Sequence, residues 1–218
     1  MLVAIDTATE QASLALHDGF RVRAEDTWEA RRRHTTELSP RLARAMAQVG
    51  VPPRKLSGVA VAKGPGSFTG LRIGMSVAKG LAVAQNLPLV AIPTLDIVAS
   101  AQGRDGRRLG AVLQAGRGRI TIAFYRWESD GWQVEREAYL TTWANLTGDL
   151  VEPTLFCGEV DQVGTDMMGR LGDRAILRPA AWRVRRAGFL AELGWQRLNR
   201  GEVDDPAALT PIYLKHPI

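Results

Sequence analysis

The chain has 218 residues, 45% hydrophobic and 23% charged, with a formal net charge of +5. This is the composition of an ordinary folded protein, with apolar material for one large core or two small ones and no apolar run near the roughly 20 residues of a membrane span. A single cysteine, Cys157, excludes an internal disulfide and any multi-cysteine metal site, which makes a reducing cytoplasm the expected compartment. The opening MLVAIDTATEQ has no basic leader and meets an acid at Asp6, so no signal peptide is expected. An isoelectric point of about 9.9 admits nucleic acid or an acidic partner, but the runs RRR at 31–33 and RDGRR at 104–108 read equally well as solvated loops.

In chain order, MLVAID reads as a buried strand, QASLALHDG as an alternating strand ending in a turn at Asp18-Gly19, and RVRAEDTWEA as a third strand. Residues 34–49 read as a helix with Leu38, Leu42, Ala45, Met46 and Val49 on one face; Pro40 in its interior predicts either a late start near Ser39 or a kink. LSGVAVAK is a short buried strand, followed by a Gly-rich loop, a helix over about 69–86, the strand LPLVAI and the short helix TLDIVASAQ. The second half repeats this order. LGAVLQA and GRITIAFYRWE are strands, and SDG turns into WQVEREAYLT. A polar segment at 142–150, the strand TLFCGE, a helix at 161–171, the strand RAIL and the helix RAGFLAELGWQRLNRG follow. Three meandering strands followed by alternating helices and strands describe a ribonuclease-H-like unit, and two in tandem describe the actin-like α/β architecture. Lobes are expected at 1–100 and 101–186, with 187–218 returning to the first lobe. Architecture alone says little about function.

The loop in AKGPGSFTGLRIGMSVAKGLA, residues 62–82, matches none of the common catalytic loops. A Walker loop needs a Lys-Ser/Thr pair after its last glycine, where this chain has Leu71-Arg72; the dinucleotide pattern wants glycine at Thr69; the serine elbow fails at Pro65 and Thr69. A tight strand-to-helix turn capped by Ser67 or Thr69 is the plain structural alternative to a phosphate cradle. In the helix after it, Gly70, Gly74, Ala78 and Ala82 recur every four residues beside a bulky stripe of Ile73, Val77 and Leu81. Glycine costs about 1 kcal/mol in a helix interior, so Gly74 and Gly80 are expected at close contacts.

IDTATEQASLAL, HTTELSPRL, GPGSFTGLRIGMSVAKGLA and the closing PIYLK resemble the TsaB (YeaZ) family, in order through about the first 100 residues and again at the C-terminus. The resemblance implies a non-catalytic subunit of the bacterial machinery that installs threonylcarbamoyl-adenosine in tRNA. It implies pairing with the paralogous catalytic subunit TsaD, a homodimer when alone, TsaE as an ATPase in the larger complex, and only indirect contact with tRNA. It implies no firmly bound cofactor on this chain, with ATP or ADP confined to an interface of the complex. Asp6, Thr7, Gly64, Gly66, Ser67, Thr69 and Gly70 would then form a degenerate nucleotide or phosphate loop. The middle departs from the family: QAGRGRITIAFY aligns only Ala115, Arg117, Gly118 and Tyr125 with the usual motif and lacks its acidic residues.

Metal chemistry of the TsaD kind needs two histidines on one helix. Here only His34 begins a helix, with Leu38 four residues on, while His17 and His216 lie elsewhere. A stand-alone glycoprotease-like hydrolase using Ser67, His34 and Asp6 is the competing reading, without support from their spacing. The expected partner surface is made by the helices at 34–49 and 69–86 and carries Leu38, Arg41, Leu42, Met46, Arg72, Met75 and Lys79, with Leu42 and Met75 pointing outward.

Overall fold

The computed structural model describes residues 1–214. The first sheet is built from β1 (Leu2–Asp6), β2 (Gln11–His17), β3 (Val22–Glu29), β4 (Gly58–Ala62) and β5 (Leu89–Ile92), in the order β3-β2-β1-β4-β5. The second uses β6 (Arg108–Gln114), β7 (Arg119–Glu128), β8 (Gly131–Thr142), β9 (Thr154–Gly158) and β10 (Ala175–Leu177), in the order β10-β9-β6-β7-β8. In each, the first strand is central, antiparallel to the second and parallel to the fourth. This one connectivity, written twice, is the expected tandem ribonuclease-H-like architecture. By contacts the chain divides into one unit of Met1–Ile97 with Arg186–Ile212, and another of Val98–Arg185 with residues 213 and 214.

In the first unit both faces of the sheet are covered. Val3, Ile5, Leu14, Val59 and Val61 pack with α1 (His34–Gln48) and α2 (Phe68–Gln85), while Leu2, Ala4, Ala15 and Ala60 pack with α6 (Ala187–Asn199). Successive side chains of a strand point to opposite faces, so burial on both sides is why these strands read as continuous apolar runs. Gly194 lets α6 close on the sheet: a Cβ there would sit 2.6 Å from that of Ala60. Ser13 Oγ accepts from the amide of Ala187 (2.9 Å), and His17, buried, donates through Nε2 to Glu192 (3.0 Å) while its Nδ1 accepts from the Gly19 amide.

Helix α1 begins at His34 and runs through Pro40 to Gln48, so it does not start late at Ser39. Two anchors hold its first turns: His34 is buried and donates through Nε2 to the Thr9 carbonyl (2.8 Å), and Leu38 is buried in the core. Pro40 and Thr36 are exposed, where water can take up the carbonyl that the missing N–H leaves free. After α6 the chain runs back along the edge of β5. The amide of Asp204 donates to the Leu89 carbonyl (2.8 Å), and its carboxylate accepts from the buried Ala91 amide (2.8 Å) and from Arg197 (3.3 Å). Lys215 of the closing motif and His216 fall outside the described residues.

In the second unit Val112, Ile120, Ile122, Phe124 and Phe156 pack with Trp143 and Leu146 of α4 (Trp143–Gly148) and Met168 of α5 (Gln162–Gly169). Thr142 and Asp161 cap these helices, accepting from the amides of Asn145 (3.3 Å) and Gly164 (2.9 Å). The departing segment QAGRGR is the β6–β7 turn, where Gly116, Arg117 and Gly118 all have positive φ. Cys157 is fully buried in β9, and burial pushes its thiol pKa up. Asp105, before β6, is held by the Arg107 guanidinium, which brings its pKa down to about 2.

Two outcomes are expected. Asp204→Ala strips the acceptor from the buried Ala91 amide and should cost about 1–3 kcal/mol in urea unfolding. Asp105 is ionised in the folded state at a pH where it is protonated in the unfolded one. Its contribution is therefore complete above the ordinary aspartate range and lost as pH falls towards 2; Asp105→Asn should flatten that part of the acid-unfolding curve.

Candidate partner-binding face

The Gly-rich loop joins β4 to α2, and its hydrogen bonds run inward. The amide of Ser67 donates to the Ala8 carbonyl (2.6 Å), the Thr7 hydroxyl donates to the Gly70 carbonyl (2.7 Å), and Ser67 caps α2 by accepting from the Gly70 amide (3.3 Å). Gly66, Gly70 and Gly74 leave no room for a side chain: a Cβ would overlap the carbonyl of Ala8, the carbonyl of Thr7 and the Thr7 hydroxyl respectively. Asp6, fully buried at the end of β1, accepts from the Ala8 amide (2.9 Å) and so tightens the same turn. Gly64, at φ +104°, exchanges hydrogen bonds with Thr94, whose hydroxyl accepts from its amide (3.1 Å) and whose amide donates to its carbonyl (2.9 Å). Ile212 donates to the Lys63 carbonyl (2.7 Å), tying the tail to the loop. Thr69 is exposed on the first turn of α2. The loop residues named from sequence thus do come together, and what they hold is the β1–β2 turn.

The triad imagined from sequence is committed otherwise: Ser67 caps a helix, His34 binds Thr9, and Asp6 closes a turn.

The ridge Gly70, Gly74, Ala78 and Ala82 faces the protein's own interior, and the stripe Ile73, Val77, Leu81 is half-buried against the core that α1 shares. Met75 and Leu42, expected to point outward, are 4% and 6% exposed. Leu42 packs in the core that α1 shares with the sheet, as do Leu38 and Met46, and Met75 is buried within its unit. A charge introduced at Leu42 or Met75 would unfold the unit before it tested a partner. Arg41 turns to its own sheet edge, paired with Asp26 (2.7 Å) and lying over the Trp28 ring at 4.5 Å. Lys79 is half-buried on α2.

The two helices leave between them a groove of about 470 Å³. Thr35, Leu38 and Ser39 line it from α1, and Phe68, Thr69, Arg72, Ile73, Ser76 and Val77 from α2. Arg72 lies over the Phe68 ring at 4.0 Å, and Phe68 is 55% exposed. The exposed positions of the two helices include short side chains, Thr35, Ser39, Ala43 and Ala47 on α1 and Thr69, Ser76, Gly80 and Ala84 on α2, alongside Arg44, Phe68, Arg72 and Val83. A Cβ at Gly80 would have nothing within 4 Å, so no contact inside the protein accounts for glycine there. Sequence reasoning missed Thr35, Ser39, Phe68 and Ser76; the one available signal was a glycine in mid-helix at position 80.

A family model described as TsaD, tRNA N6-adenosine threonylcarbamoyltransferase, matches residues 28–149. The "tRNA threonylcarbamoyladenosine biosynthesis protein TsaB" of Bacillus subtilis is 30% identical over 220 residues, 98% of this chain and 93% of the relative. The protein of the same name from Escherichia coli is 30% identical over 99% of this chain and 94% of its own length. The chain belongs to the TsaB (YeaZ) family. A solved structure from Pseudomonas aeruginosa, an uncharacterized protein with similarity to peptidase YEAZ, shares the fold at a TM-score of 0.81, 24% identity, and coverage of 98% of this chain and 99% of that one. The ethanolamine utilization protein EutJ of Carboxydothermus hydrogenoformans shares it more loosely, at a TM-score of 0.53 over 88% of both chains and 13% identity.

The two kinds of helix glycine separate in a stability measurement. Gly70→Ala forces bulk into the Thr7 carbonyl and should destabilise by about 1–3 kcal/mol. Gly80→Ala meets open space and should stabilise the isolated chain by about 0.5–1 kcal/mol. Chemical denaturation at a concentration where the chain is monomeric reads both.

Proposed function

We propose that the chain acts in tRNA threonylcarbamoyladenosine biosynthesis as a non-catalytic subunit, and that the outer face of α1 and α2 docks the paralogous catalytic subunit TsaD, or a second copy of this chain when TsaD is absent. The observation that carries the reading is Gly80. A mid-helix glycine with open space above it is unfavourable for the isolated fold, and the short Ser76 and Ala84 one turn to either side would let another helix approach closely. The groove beside it offers a partner side chain a seat between Phe68 and Leu38. Related folds can share such a surface, because a patch that pairs with its own copy has the shape a duplicated partner inherits.

On this reading the Gly-rich loop sets the pose of α2. Its Ser67 amide, a donor that a bound phosphate would use at a helix N-terminus, is taken by Ala8. ATP or ADP would then belong to the partner or to the assembled complex, and TsaE would join that complex without needing this loop. Among the side chains of the face there is no nucleophile paired with a base, which favours the subunit reading over the hydrolase.

Ser76→Arg and Gly80→Leu place bulk on the outer face without touching the core. Each should abolish co-purification with TsaD and dimerisation in analytical ultracentrifugation, leave the melting temperature of the monomer at or above that of the parent, and remove tRNA modification from a reconstituted reaction. Unchanged pairing by both variants would sink the proposal.

A further inference from the structure

We infer that the docking face selects its partner by charge: it suits a helical surface that brings carboxylates opposite Arg44 and Lys79, and a second copy of this chain is the weaker occupant. The inference rests on the docking reading given above and adds to it the chemistry of the partner.

The imbalance begins in the sequence. Helices α1 and α2 hold Arg41, Arg44, Arg72 and Lys79 against one acid, Glu37, and α2 has no acid at all. The whole chain is far more even, with 28 lysines and arginines to 23 aspartates and glutamates. Ion pairs then use up the neutralising groups. Glu37 is bound by Arg33 one turn before it (3.1 Å), and Arg41 turns to Asp26 of β3 (2.7 Å). Arg44, one turn after Arg41, is exposed, and Lys79, two turns after Arg72, is half-buried. Neither has an ion pair or a hydrogen bond among the described residues. Residues three, four or seven apart share a side of a helix. Arg44 is three residues from Ala47, and Lys79 is three from Ser76, so each cation stands at the rim of the short, exposed positions of its helix.

A rim of one sign has opposite meanings for the two occupants. Identical chains related by a two-fold axis meet through the same patch on both sides. Arg44 and Lys79 of one copy can then face only what the same helices present, and the single acid of those helices is already bound by Arg33. Like charges brought together cost affinity and slow encounter, whereas opposite charges steer it. The cationic rim therefore weakens the self-pair and keeps the face open for a partner with acids at the matching places. This is specificity by repulsion of the wrong occupant as much as by attraction of the right one. Solubility alone is served at least as well by acids, so it does not account for the single sign.

The test follows two associations of the full chain at 50 and 300 mM KCl, self-association by sedimentation equilibrium and binding to TsaD by stopped-flow fluorescence. Salt should tighten the self-pair about three-fold and slow association with TsaD by about the same factor, because it screens repulsion in one and steering in the other. The neutral double variant Arg44→Gln/Lys79→Gln should tighten the self-pair, slow TsaD association about five-fold at 50 mM KCl and flatten both salt dependences. Its melting temperature should match the parent, since neither side chain has a partner to lose. A self-pair that salt loosens, or TsaD association indifferent to salt and to the neutral variant, would overturn charge selection; if Ser76→Arg still abolished pairing, the docking face would stand without it. Pairing untouched by both Ser76→Arg and Gly80→Leu would remove the face, and this inference with it.

Discussion

The first unit depends on one close approach, that of the β1–β2 turn to the helix that follows the Gly-rich loop. Thr7 donates to the Gly70 carbonyl at 2.7 Å and its hydroxyl fills the place of a side chain at Gly74, while Ala8 takes the Ser67 amide at 2.6 Å. Three glycines make this contact and no other residue fits any of them. Once Gly70 and Gly74 are pinned, the roll of α2 about its axis is fixed, because residues four apart lie on one side of a helix. Ala78 and Ala82 continue inward, Ile73 and Val77 turn towards α1, and Ser76 and Gly80 are left facing out. The composition of the outer face follows from the packing of the inner one.

This explains which parts were legible beforehand. Both sheets could be read because their inner strands are apolar on two faces and separated by turns, so local pattern and tertiary burial agree, while the polar edge strands β3 and β8 follow from the turns that lead into them. Pro40 misled because a missing N–H is costly only where its carbonyl partner is dry; here it faces water, while His34 and Leu38 hold the turn before it. Leu42 and Met75 failed for a different reason. Apolar side chains at steps of four show that a helix has a buried side, and cannot say whether the sheet or a partner buries it. Leu42 and Met75 are expected outward on that pattern, and the protein's own interior claims both. Of the two helix glycines expected at close contacts, Gly74 meets the Thr7 hydroxyl, whereas Gly80 meets nothing inside the protein, a local violation of helix propensity that the fold alone does not explain.

The arginine content resolves in the same way into structural and unspent parts. Arg41 serves β3, Arg197 serves the returning tail, and Arg186 binds Glu25 beside the start of α6. Exposed pairs of this kind contribute little each, typically about 0.2–1 kcal/mol, but they remove charge from the list that could meet an anion.

The proposed docking face has a physical signature: a feature that costs the isolated fold something and that no internal contact repays. At Gly80 it is backbone entropy in a helix that an alanine would tighten. A sequence shaped by folding alone would remove such costs, since each is one substitution from relief. By contrast, Gly66, Gly70 and Gly74 are equally unfavourable as residues yet fully explained by the turn they admit. The distinction between a repaid and an unrepaid cost separates scaffold from surface in this molecule. At the docking face the unrepaid cost, the open glycine, stands beside a formed groove of about 470 Å³.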